Sequence, residues 1–387
     1  MTALFMIGVT GTNGKTSVTQ WIAQALAALG RKCAVVGTLG NGFPGDLIPG
    51  PNTTPGAVAL RQILPDLVAQ GAMACAMEVS SIGLHQKRVA EVAFDVAVFT
   101  NFTRDHLDYH GTMEDYAAEK RKLFDMPGLR AAVLNLDDPF GAQLDAELAG
   151  RLRVIGYTLE AKVSRGETLA ATDLAMDGAG LSFMLDGVRI EAPVVGRFNA
   201  SNLLAVIGAL LAGGEILADI AGVLPRLTPP PGRMQTIGSE GKPLVVIDYA
   251  HTPDALEKAL TTLLETAAAR GGKLICVFGC GGERDPGKRP LMGAVAEALA
   301  DRVLVTSDNP RGEKPEAIIA DIVGGMTRRP AIELDRAKAI KDAVTAADAR
   351  DIVLLAGKGH EPYQEVAGAR HPFSDLEQAR QALEQYS

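Results

Sequence analysis

Short apolar runs alternate with amphipathic stretches over the first third of the chain. Apolar runs without internal alternation are typical of strands that are buried on both faces of a parallel sheet. The predicted strands are Ala3–Thr10, Cys33–Gly37, Ala72–Val79, Val92–Thr100 and Ala131–Asn135, and the predicted helices are Thr16–Leu29, Pro55–Gln70 and Glu114–Phe124. Strands that alternate with helices in this way predict an α/β fold with helices covering a parallel sheet.

The pattern changes between about residues 154 and 195. Apolar and polar positions alternate there with a period of two, and Asp186-Gly187 is a strong signal for a tight hairpin. We predict a small antiparallel insertion over this region. A helix at Asn199–Ala212, closed by Gly213-Gly214, follows it.

Three successive prolines, Pro229–Pro231, separate this first part from a second alternating pattern. Proline continues neither a helix nor a central strand, so a linker is predicted here. The second pattern has predicted strands at Leu244–Asp248, Leu274–Phe278, Arg302–Thr306 and Ile352–Ala356, and predicted helices at Pro253–Ala269, Leu291–Ala300, Pro315–Gly324 and Asp335–Ala347. We therefore predict two domains, 1–228 with the insertion and a Rossmann-like α/β domain over 229–387.

Composition excludes several classes of function. The 387 residues carry a net charge of −8 and only 5% are aromatic, which argues against a general binder of nucleic acid or of anionic membranes. The longest uncharged stretch, 198–214, is shorter than the roughly 20 apolar residues that span a bilayer. No basic, then apolar, leader is visible, and the four cysteines form no CxxC pair. These features predict a cytoplasmic protein without nucleic-acid or membrane partners.

A phosphate-binding loop follows the first predicted strand and opens a helix. The run is Gly11-Thr12-Asn13-Gly14-Lys15-Thr16-Ser17. Its glycines let backbone N–H groups face a phosphate, and the helix N-terminus adds a favourable dipole. Lys15 is predicted to meet the β- and γ-phosphates of a nucleotide, and Thr16 to bind Mg²⁺. The first glycine of the full P-loop pattern is replaced by Val9, so the motif is a variant.

Glu78 ends the predicted strand Ala72–Val79. A carboxylate at the carboxyl end of a parallel strand beside a P-loop is well placed to bind Mg²⁺. The alternative is an ordinary capping or surface carboxylate. The segment Thr100–Thr112 also concentrates polar groups, and His106 and His110 stand four residues apart near two aspartates. A dedicated metal site and a polar loop both remain open on spacing alone, with Gly111 favouring a loop.

The order of these motifs resembles the Mur ligases, the ATP-dependent amide ligases of peptidoglycan synthesis. The matching segments cover most of the chain: GTNGKTS (11–17), NTTP (52–55), MEVSS (77–81), TNFTRDHLDYHGTMEDY (100–116), GRFNASN (196–202), PGRMQ (232–236), DYAHTPDAL (248–256), FGCGGERDPGKRP (278–290), DNPR (308–311) and GKGHE (357–361). The resemblance implies a P-loop central domain followed by a Rossmann-like C-terminal domain.

The resemblance also implies roles for individual residues around ATP. Thr16 and Glu78 would bind a first Mg²⁺, His106 would bind a second, and Lys120 would be a carbamylated, catalytic lysine. On the residues alone, Lys120 fits an ordinary solvated helix face, because Glu119 and Arg121 flank it. The remaining nucleotide contacts implied are Asn199, Asn202, Arg233, Asp248 and His251. Lys288 and Arg289, after a glycine-rich loop, suit anion binding.

The two other substrates are assigned by the same resemblance. DNPR is similar to the signature of the diaminopimelate-adding branch, in which Arg311 would fork its guanidinium onto a carboxylate that lysine lacks. The residues implied for the amino acid are Asp308, Asn309, Arg311, Gly357 and Glu361; those implied for the acceptor are Thr53, Thr54, Ser80, Gln86 and Arg88. The implied reaction joins an amino acid to a carboxylate acceptor through an acyl phosphate, with ATP and Mg²⁺.

Two alternatives remain open from the sequence. One is a related ligase with a simpler acceptor than a UDP-muramoyl-dipeptide, of the cyanophycin or polyglutamate type; the other is a nucleotide-binding regulator that has lost catalysis. Members of this branch usually carry a uridine-binding domain before the P-loop strand, and here that strand begins almost at Met1. A separate chain that supplies such a domain is therefore an expectation as well.

Overall fold

The structure is a computed structural model and describes residues 4–176, 180–238 and 241–386. The chain divides into two compact units, Met1–Thr103 with Tyr109–Thr228 and Arg104–Asp108 with Pro229–Ser387. Ala3, the first residue of a predicted strand, lies outside the described residues.

The strands of the first unit form a large sheet and a small one. They are β1 (Phe5–Thr10), β2 (Cys33–Gly37), β3 (Gly40–Phe43), β4 (Asp46–Ile48), β5 (Ala74–Glu78), β6 (Val96–Phe99), β7 (Ala131–Asn135), β8 (Arg153–Thr158), β9 (Glu167–Ala170), β10 (Thr172–Met176), β11 (Leu181–Leu185) and β12 (Val188–Ala192). The large sheet has the order β4-β3-β2-β5-β1-β6-β7-β8-β9. From β2 to β9 every neighbouring pair in that order is parallel, while β3 and β4 fold back in antiparallel fashion.

Helices cover both faces of this sheet. The helices up to the end of the first unit are α1 (Lys15–Ala28), α2 (Ala57–Ala69), α3 (Ser81–His85), α4 (Leu107–His110), α5 (Met113–Arg121), α6 (Pro139–Leu148), α7 (Arg197–Ala212) and α8 (Leu217–Val223), and 3₁₀ turns follow α5 and α8 at Lys122–Asp125 and Leu224–Arg226. One face buries Trp21 of α1 and Leu203 of α7 against Val9 and Val98. The other buries Leu60, Leu144 and Phe124. Burial on both faces explains the unbroken apolar runs of the central strands.

The antiparallel insertion is shorter than the sequence predicts. Only β10, β11 and β12 form an antiparallel sheet, joined at the predicted Asp186-Gly187 hairpin. The beginning of the predicted region instead supplies β8 and β9, which extend the large sheet in parallel. The alternating sequence of β9 reflects its position at the edge of that sheet, where one face is exposed.

The second unit is built around a six-stranded sheet. Its strands are β13 (Gln235–Ile237), β14 (Leu244–Asp248), β15 (Leu274–Phe278), β16 (Arg302–Val305), β17 (Ala331–Ile332) and β18 (Ile352–Ala356), with a separate hairpin of β19 (Tyr363–Val366) and β20 (Ala369–Pro372). Its helices are α9 (Pro253–Arg270), α10 (Lys288–Leu299), α11 (Pro315–Val323), α12 (Arg336–Thr345) and α13 (Asp375–Glu384). The sheet order is β13-β14-β18-β15-β16-β17, parallel except for β13.

The predicted fold class, a parallel α/β sheet with a small antiparallel insertion and a second α/β unit, is confirmed. In each unit the loops that follow the central parallel strands emerge at one sheet edge, the usual position of a ligand site in such folds. Within the described ranges, no helix has the length and apolar character that a bilayer crossing requires.

Candidate active site

The P-loop joins β1 to α1 at the carboxyl edge of the first sheet, in the middle of the strand order. Two of its residues have no room for a side chain. A Cβ on Gly11 would lie 1.9 Å from Thr100 Oγ1, and one on Gly14 would lie 2.5 Å from Asn202 Oδ1. Both glycines also have positive φ angles, +146° and +87°. The turn therefore requires glycine at both positions for conformational and steric reasons.

The loop after β6 holds the P-loop from the other side. Asn101 Oδ1 accepts from the backbone N–H of Asn13 at 2.9 Å, and the Thr100 hydroxyl donates to the Asn13 carbonyl at 2.6 Å. Lys15 lies over the same loop, with Nζ donating to the carbonyls of Gly11 and Thr12 at 2.8 and 2.9 Å. The sequence placed Thr100 and Asn101 in a polar segment at the end of a predicted strand but assigned neither of them a role.

Glu78 ends β5, which lies beside β1, and its side chain is almost fully buried. The Thr16 and Thr38 hydroxyls both donate to Glu78 Oε2 at 3.0 Å, and the Thr38 N–H donates to Oε1 at 2.8 Å. The structure thus brings together the predicted Mg²⁺ ligands Thr16 and Glu78, and adds Thr38, which the sequence did not single out. The capping or surface alternative for Glu78 does not fit this burial.

These donors suit Mg²⁺ chemically. A hydroxyl and a carboxylate are hard oxygen ligands, and Mg²⁺ is usually held by one or two carboxylates together with phosphate oxygens and water. Among the described residues, no three His, Cys, Asp or Glu side chains are grouped closely enough to hold a metal by themselves. The donor set therefore fits a Mg²⁺ that arrives with nucleotide phosphates better than a dedicated protein site.

His106 belongs to the second unit with the rest of Arg104–Asp108. Its Nε2 lies 3.5 Å from Asp105 Oδ2, and His251 Nε2 lies 3.6 Å from the same oxygen. Asp105 is buried, which by itself raises its pKa. The hydrogen bond from His251, with the positive fields of His106 and Lys288, outweighs burial and holds the pKa of Asp105 well below its usual range.

Lys120 is buried, not solvated, with 1% of its surface exposed. Its Nζ donates to the Gly11 carbonyl at 3.0 Å and lies 4.3 Å from the centre of the Tyr116 ring. The helix-face alternative therefore applies to its neighbour Lys122, which bonds Glu119 on the surface, but not to Lys120. Helix α5 begins at the Thr112 cap, whose hydroxyl accepts from the Asp115 N–H, and this start sets which residue faces the P-loop.

Asn202 faces the P-loop from α7, and Asn199 lies one helical turn before it. They lie inside the helix, which begins at Arg197, two residues earlier than the sequence predicts. Asn202 Nδ2 donates to Asn199 Oδ1 at 3.1 Å, and Asn199 Nδ2 donates to the Val195 carbonyl at 2.8 Å. This chain of bonds orients Asn202 towards Gly14, since its amide oxygen is the neighbour that a Gly14 side chain would strike.

A second polar cluster in the first unit collects the five residues assigned to the acceptor. The Thr54 and Ser80 hydroxyls share a 3.0 Å hydrogen bond, and Arg88 donates to the Thr54 carbonyl at 2.7 Å and to Gln86 Oε1. Thr53 accepts from Thr38, the partner of Glu78. The cluster therefore adjoins the Glu78 site through one hydrogen bond.

Three of the residues assigned to the nucleotide lie together near the carboxyl end of β14. Asp248 ends that strand and accepts from the Met234 N–H at 2.7 Å, while the guanidinium of Arg233 stacks on Tyr249 at 4.4 Å. Enclosure raises the pKa of Asp248, partly offset by Arg233. His251 Nδ1 lies 2.8 Å from the Tyr249 carbonyl oxygen.

The loops after β16 and β18 bring together the five residues assigned to the amino acid. Asn309 Nδ2 donates to Glu361 Oε2 at 2.7 Å, and Asp308 Oδ2 stands 2.5 Å from where a Gly357 Cβ would be. Arg311, with an uncommon φ of +51°, donates through Nη1 to the Gly282 carbonyl at 2.7 Å and approaches Glu365 at 3.6 Å. We name Asp308, Asn309, Arg311, Gly357, Lys358 and Glu361 the Asn309 cluster.

Arg289 does not fit the predicted anion site. It is 3% exposed and its guanidinium is paired at 2.8 Å with both Glu313 and Asp321. Two carboxylates already compensate its charge, so it serves the loop structure.

Comparison with known proteins decides the family. The model of the Mur ligase middle domain matches residues 9–210, and that of the Mur ligase glutamate ligase domain matches residues 232–359. The chain belongs to the Mur ligase family. It is accordingly an ATP-dependent ligase, which agrees with its P-loop.

Individual Mur ligases match along almost the entire chain. UDP-N-acetylmuramoyl-L-alanyl-D-glutamate–2,6-diaminopimelate ligases of Pseudomonas aeruginosa and Xanthomonas campestris are each 55% identical, over 98% of this chain and 78% and 77% of their own lengths. A solved structure of an enzyme with that name is 41% identical, with a TM-score of 0.68 over 99% of this chain and 78% of its own. Folylpolyglutamate synthase of Mycobacterium tuberculosis, at 20% identity and a TM-score of 0.73 over 92% of this chain and 89% of its own, shares the fold alone.

These alignments do not support the expectation of a separate chain that supplies a missing domain. The relatives match 98% of this chain, and the chain spans about 78% of their length. The individual site residues stay predictions.

Proposed function

We propose that this Mur ligase joins meso-diaminopimelate to the D-glutamate of UDP-N-acetylmuramoyl-L-alanyl-D-glutamate, a step of peptidoglycan precursor synthesis. The proposal rests on the substrates for which similar ligases are named. Ligases named for these two substrates are 52–55% identical to this chain over 98% of its length.

The composition of the Asn309 cluster supports the choice of amino acid. meso-Diaminopimelate carries one ammonium and one carboxylate at each of its ends. The distal end of lysine carries only an ammonium. Arg311 suits the distal carboxylate because a guanidinium can donate two parallel hydrogen bonds to it, and Glu361 suits the ammonium. The Gly282 carbonyl accepts from Nη1 at 2.7 Å and Glu365 approaches Nε at 3.6 Å, and both contacts restrain the guanidinium.

The reaction proceeds in two steps, phosphoryl transfer and then amide formation. An oxygen of the acceptor carboxylate bonds to the γ-phosphorus of ATP while the bond to the departing ADP breaks. The unprotonated amine of the amino acid then attacks the acyl carbon, and inorganic phosphate leaves as the amide forms and a proton is released. The chain's share is to position the reactants and to offset phosphate charge through Lys15 and the N–H groups of the P-loop.

Thr16 and Glu78 are proposed to hold Mg²⁺ together with nucleotide phosphates. When bound, the ion supplies neutralisation of phosphate charge. Thr38 orients the Glu78 carboxylate through two hydrogen bonds, which supports this role. His106 is proposed, from its motif alone, to bind a second Mg²⁺.

Lys120 is proposed to act as a carbamate. Carbamylation converts the amine into an anion. That negative charge would lie beside the P-loop and help to position Mg²⁺. The support is the burial of Lys120 beside the P-loop, with its Nζ 3.0 Å from the Gly11 carbonyl oxygen.

Phosphate release tests the proposed function. The protein is assayed with ATP, Mg²⁺ and UDP-muramoyl-dipeptide, and with meso-diaminopimelate or lysine as the amino acid. We expect release to depend on both acceptor and diaminopimelate, and kcat/KM to favour diaminopimelate over lysine by at least about 100-fold, the effect of roughly 3 kcal/mol from an unpaired Arg311. Preference for lysine, or equal release with a free γ-glutamyl dipeptide as acceptor, contradicts the proposal.

A further inference from the structure

Lys358 is a fully buried cation within the Asn309 cluster. None of its side chain is exposed, although it lies in the loop directly after β18. Burying an ammonium without a partner is strongly unfavourable, so the groups around it must compensate the charge. Its Nζ has two partners at hydrogen-bond distance: Asn309 Oδ1 at 3.0 Å and Glu361 Oε2 at 3.1 Å.

The ammonium also determines how Asn309 is oriented. Lysine can only donate, so the amide must turn its oxygen towards Lys358. The same oxygen accepts from the Glu365 N–H at 2.9 Å. The amide nitrogen is thereby left to donate to Glu361 Oε2 at 2.7 Å. A reversed amide would set its NH₂ group against two donors at once.

Glu361 is consequently held through one oxygen only. Oε2 accepts from both Lys358 and Asn309, whereas Oε1 has no hydrogen-bond partner among the described residues. The side chain is 18% exposed, so the carboxylate borders the surface while its counter-ion lies beneath it. This arrangement leaves one anionic oxygen, fixed in direction, for an outside donor.

We propose that Lys358 is a positioning residue that orients the Glu361 carboxylate, through direct contact and through Asn309, so that Oε1 receives an ammonium group of the incoming amino acid. The inference rests on the proposed function for the identity of that ligand. Lys358 does not touch the ligand itself, because its Nζ is enclosed. It couples the loop after β16 to the loop after β18, the two segments that carry the cluster.

Other charged and titratable groups also face Glu361. Arg336 is fully buried beneath the same loops and pairs with Asp375, while Tyr249 and Asp308 lie on neighbouring strand ends. Arg336 attracts the carboxylate, whereas Asp308 repels it. Replacing Lys358 alone leaves these groups in place, so a change in the affinity for the amino acid reports the lost contact.

Lys358→Met is the principal test, with Lys338→Met as its matched control. Lys338 is a lysine of the same unit that is 61% exposed and paired with Glu333. We expect Lys358→Met to raise KM for diaminopimelate at least about tenfold, while KM for ATP stays within about twofold and Lys338→Met changes neither. A merely structural role would instead raise KM for both substrates or lower the amount of folded protein.

A double-mutant cycle separates action through Glu361 from general damage. Glu361→Gln should raise KM for diaminopimelate, and adding Lys358→Met should raise it little further, since both remove the same interaction. Fully additive effects contradict the inference. If Lys358→Met does not fold, Lys358→Gln replaces it in every comparison, because its amide keeps a donor without the charge.

A carboxyl spectrum keeps the inference distinct from the proposed function. In protein labelled with ¹³C at glutamate carboxyls, the Glu361 signal is assigned from its loss in Glu361→Gln. We expect this resonance to move in Lys358→Met, because Oε2 loses the hydrogen bond from the ammonium, and to stay in place in Lys338→Met. An unchanged resonance and an unchanged KM overturn the inference. Wild-type protein that uses no diaminopimelate overturns the proposed function, and the carboxyl spectrum then still decides whether Lys358 controls Glu361.

Discussion

At the scale of single residues, two glycines share a positive φ angle but differ in the space around them. Gly14 has a φ of +87° and faces Asn202 Oδ1, whereas Gly30, with a φ of +85°, has nothing within 4 Å of a hypothetical Cβ. The two glycines thus share the backbone requirement and differ only in their surroundings. They form a natural pair for separating strain from steric contact.

We expect Gly14→Ala to raise KM for ATP at least about tenfold, a loss of about 1.4 kcal/mol, because the new methyl group displaces Asn202 from the loop. Gly30→Ala carries the same left-handed strain without that contact, so it should lower stability alone. Steady-state kinetics at varied ATP, with thermal melts of both variants, measure the two effects. Equal KM values in the two variants would show that Asn202 has no part in nucleotide binding.

Lys120 and Lys122, two residues apart at the end of α5, offer a second comparison. Lys120→Ala should lower kcat at least about 100-fold, because it removes a buried group beside the P-loop. Lys122→Ala should leave kcat within about twofold, because that lysine forms a surface ion pair with Glu119. Phosphate release measures both. With ¹³C-bicarbonate, a carbamate signal that is present in wild type and Lys122→Ala and absent in Lys120→Ala identifies the modification; no signal in wild type counts against it.

His360 predicts how stability depends on pH. Burial, helped by Arg233, lowers the pKa of His360 from 6.5 to about 4. The unfolded chain therefore binds a proton at higher pH than the folded chain does, so the free energy of unfolding falls as pH drops from about 6.5 to 4. His360→Asn should weaken this fall, and the exposed His371→Asn should not. Urea unfolding at a series of pH values tests this, and identical pH profiles for all three proteins contradict it.

At the scale of elements, a buried ion pair ties four segments of the second unit together. Arg336 at the start of α12 is bidentate to Asp375 at the start of α13, with distances of 2.8 and 2.7 Å. It also donates to the carbonyls of Ser307 and Ala356, directly before Asp308 and Gly357. The helix starts and the strand ends beneath the Asn309 cluster are thereby held by a single guanidinium.

Arg336→Met should lower the free energy of unfolding by about 3–5 kcal/mol, because it leaves the Asp375 carboxylate buried without a counter-ion. The double variant Arg336→Met/Asp375→Leu should recover part of the loss, since neither charge is then buried. Lys338→Met breaks an exposed pair and should cost less than about 1 kcal/mol. Urea denaturation gives all three values; a loss below 1 kcal/mol for Arg336→Met would mean that the pair is not needed.

At the scale of the whole molecule, each unit has apolar cores of its own. The first unit packs two clusters on opposite faces of its large sheet, and the second packs residues such as Val245, Ile340 and Leu355 around its own sheet. Units with separate cores often unfold as separate cooperative steps.

We therefore expect calorimetry to resolve two unfolding transitions. Leu203→Ala, which opens a cavity in the first unit at a cost of about 2–5 kcal/mol, should lower one transition, and Arg336→Met should lower the other. If both variants shift a single common transition, the two units unfold together and this expectation is wrong.

The sequence alone determined the alternation of strands and helices, because unbroken apolar runs record burial on both faces of a sheet. It also located the P-loop and Glu78, since the sequence shows that they sit at the ends of predicted strands. It misjudged the edge strand β9, where one exposed face produces the same alternation as an antiparallel hairpin. Short motifs identified Asn309, Arg311 and Glu361 without saying how they are held.

Tertiary structure alone decided which residues meet across long stretches of chain. Thr38 reaches Glu78 over 40 residues, and Lys358 reaches Asn309 over 49. Lys120 and Lys122 look alike in sequence, yet one is enclosed and the other exposed. Local patterns carry information about which face of an element is apolar, but not about the strand order that brings distant loops to one sheet edge. For that physical reason, the partners of each site residue could be named only from the fold.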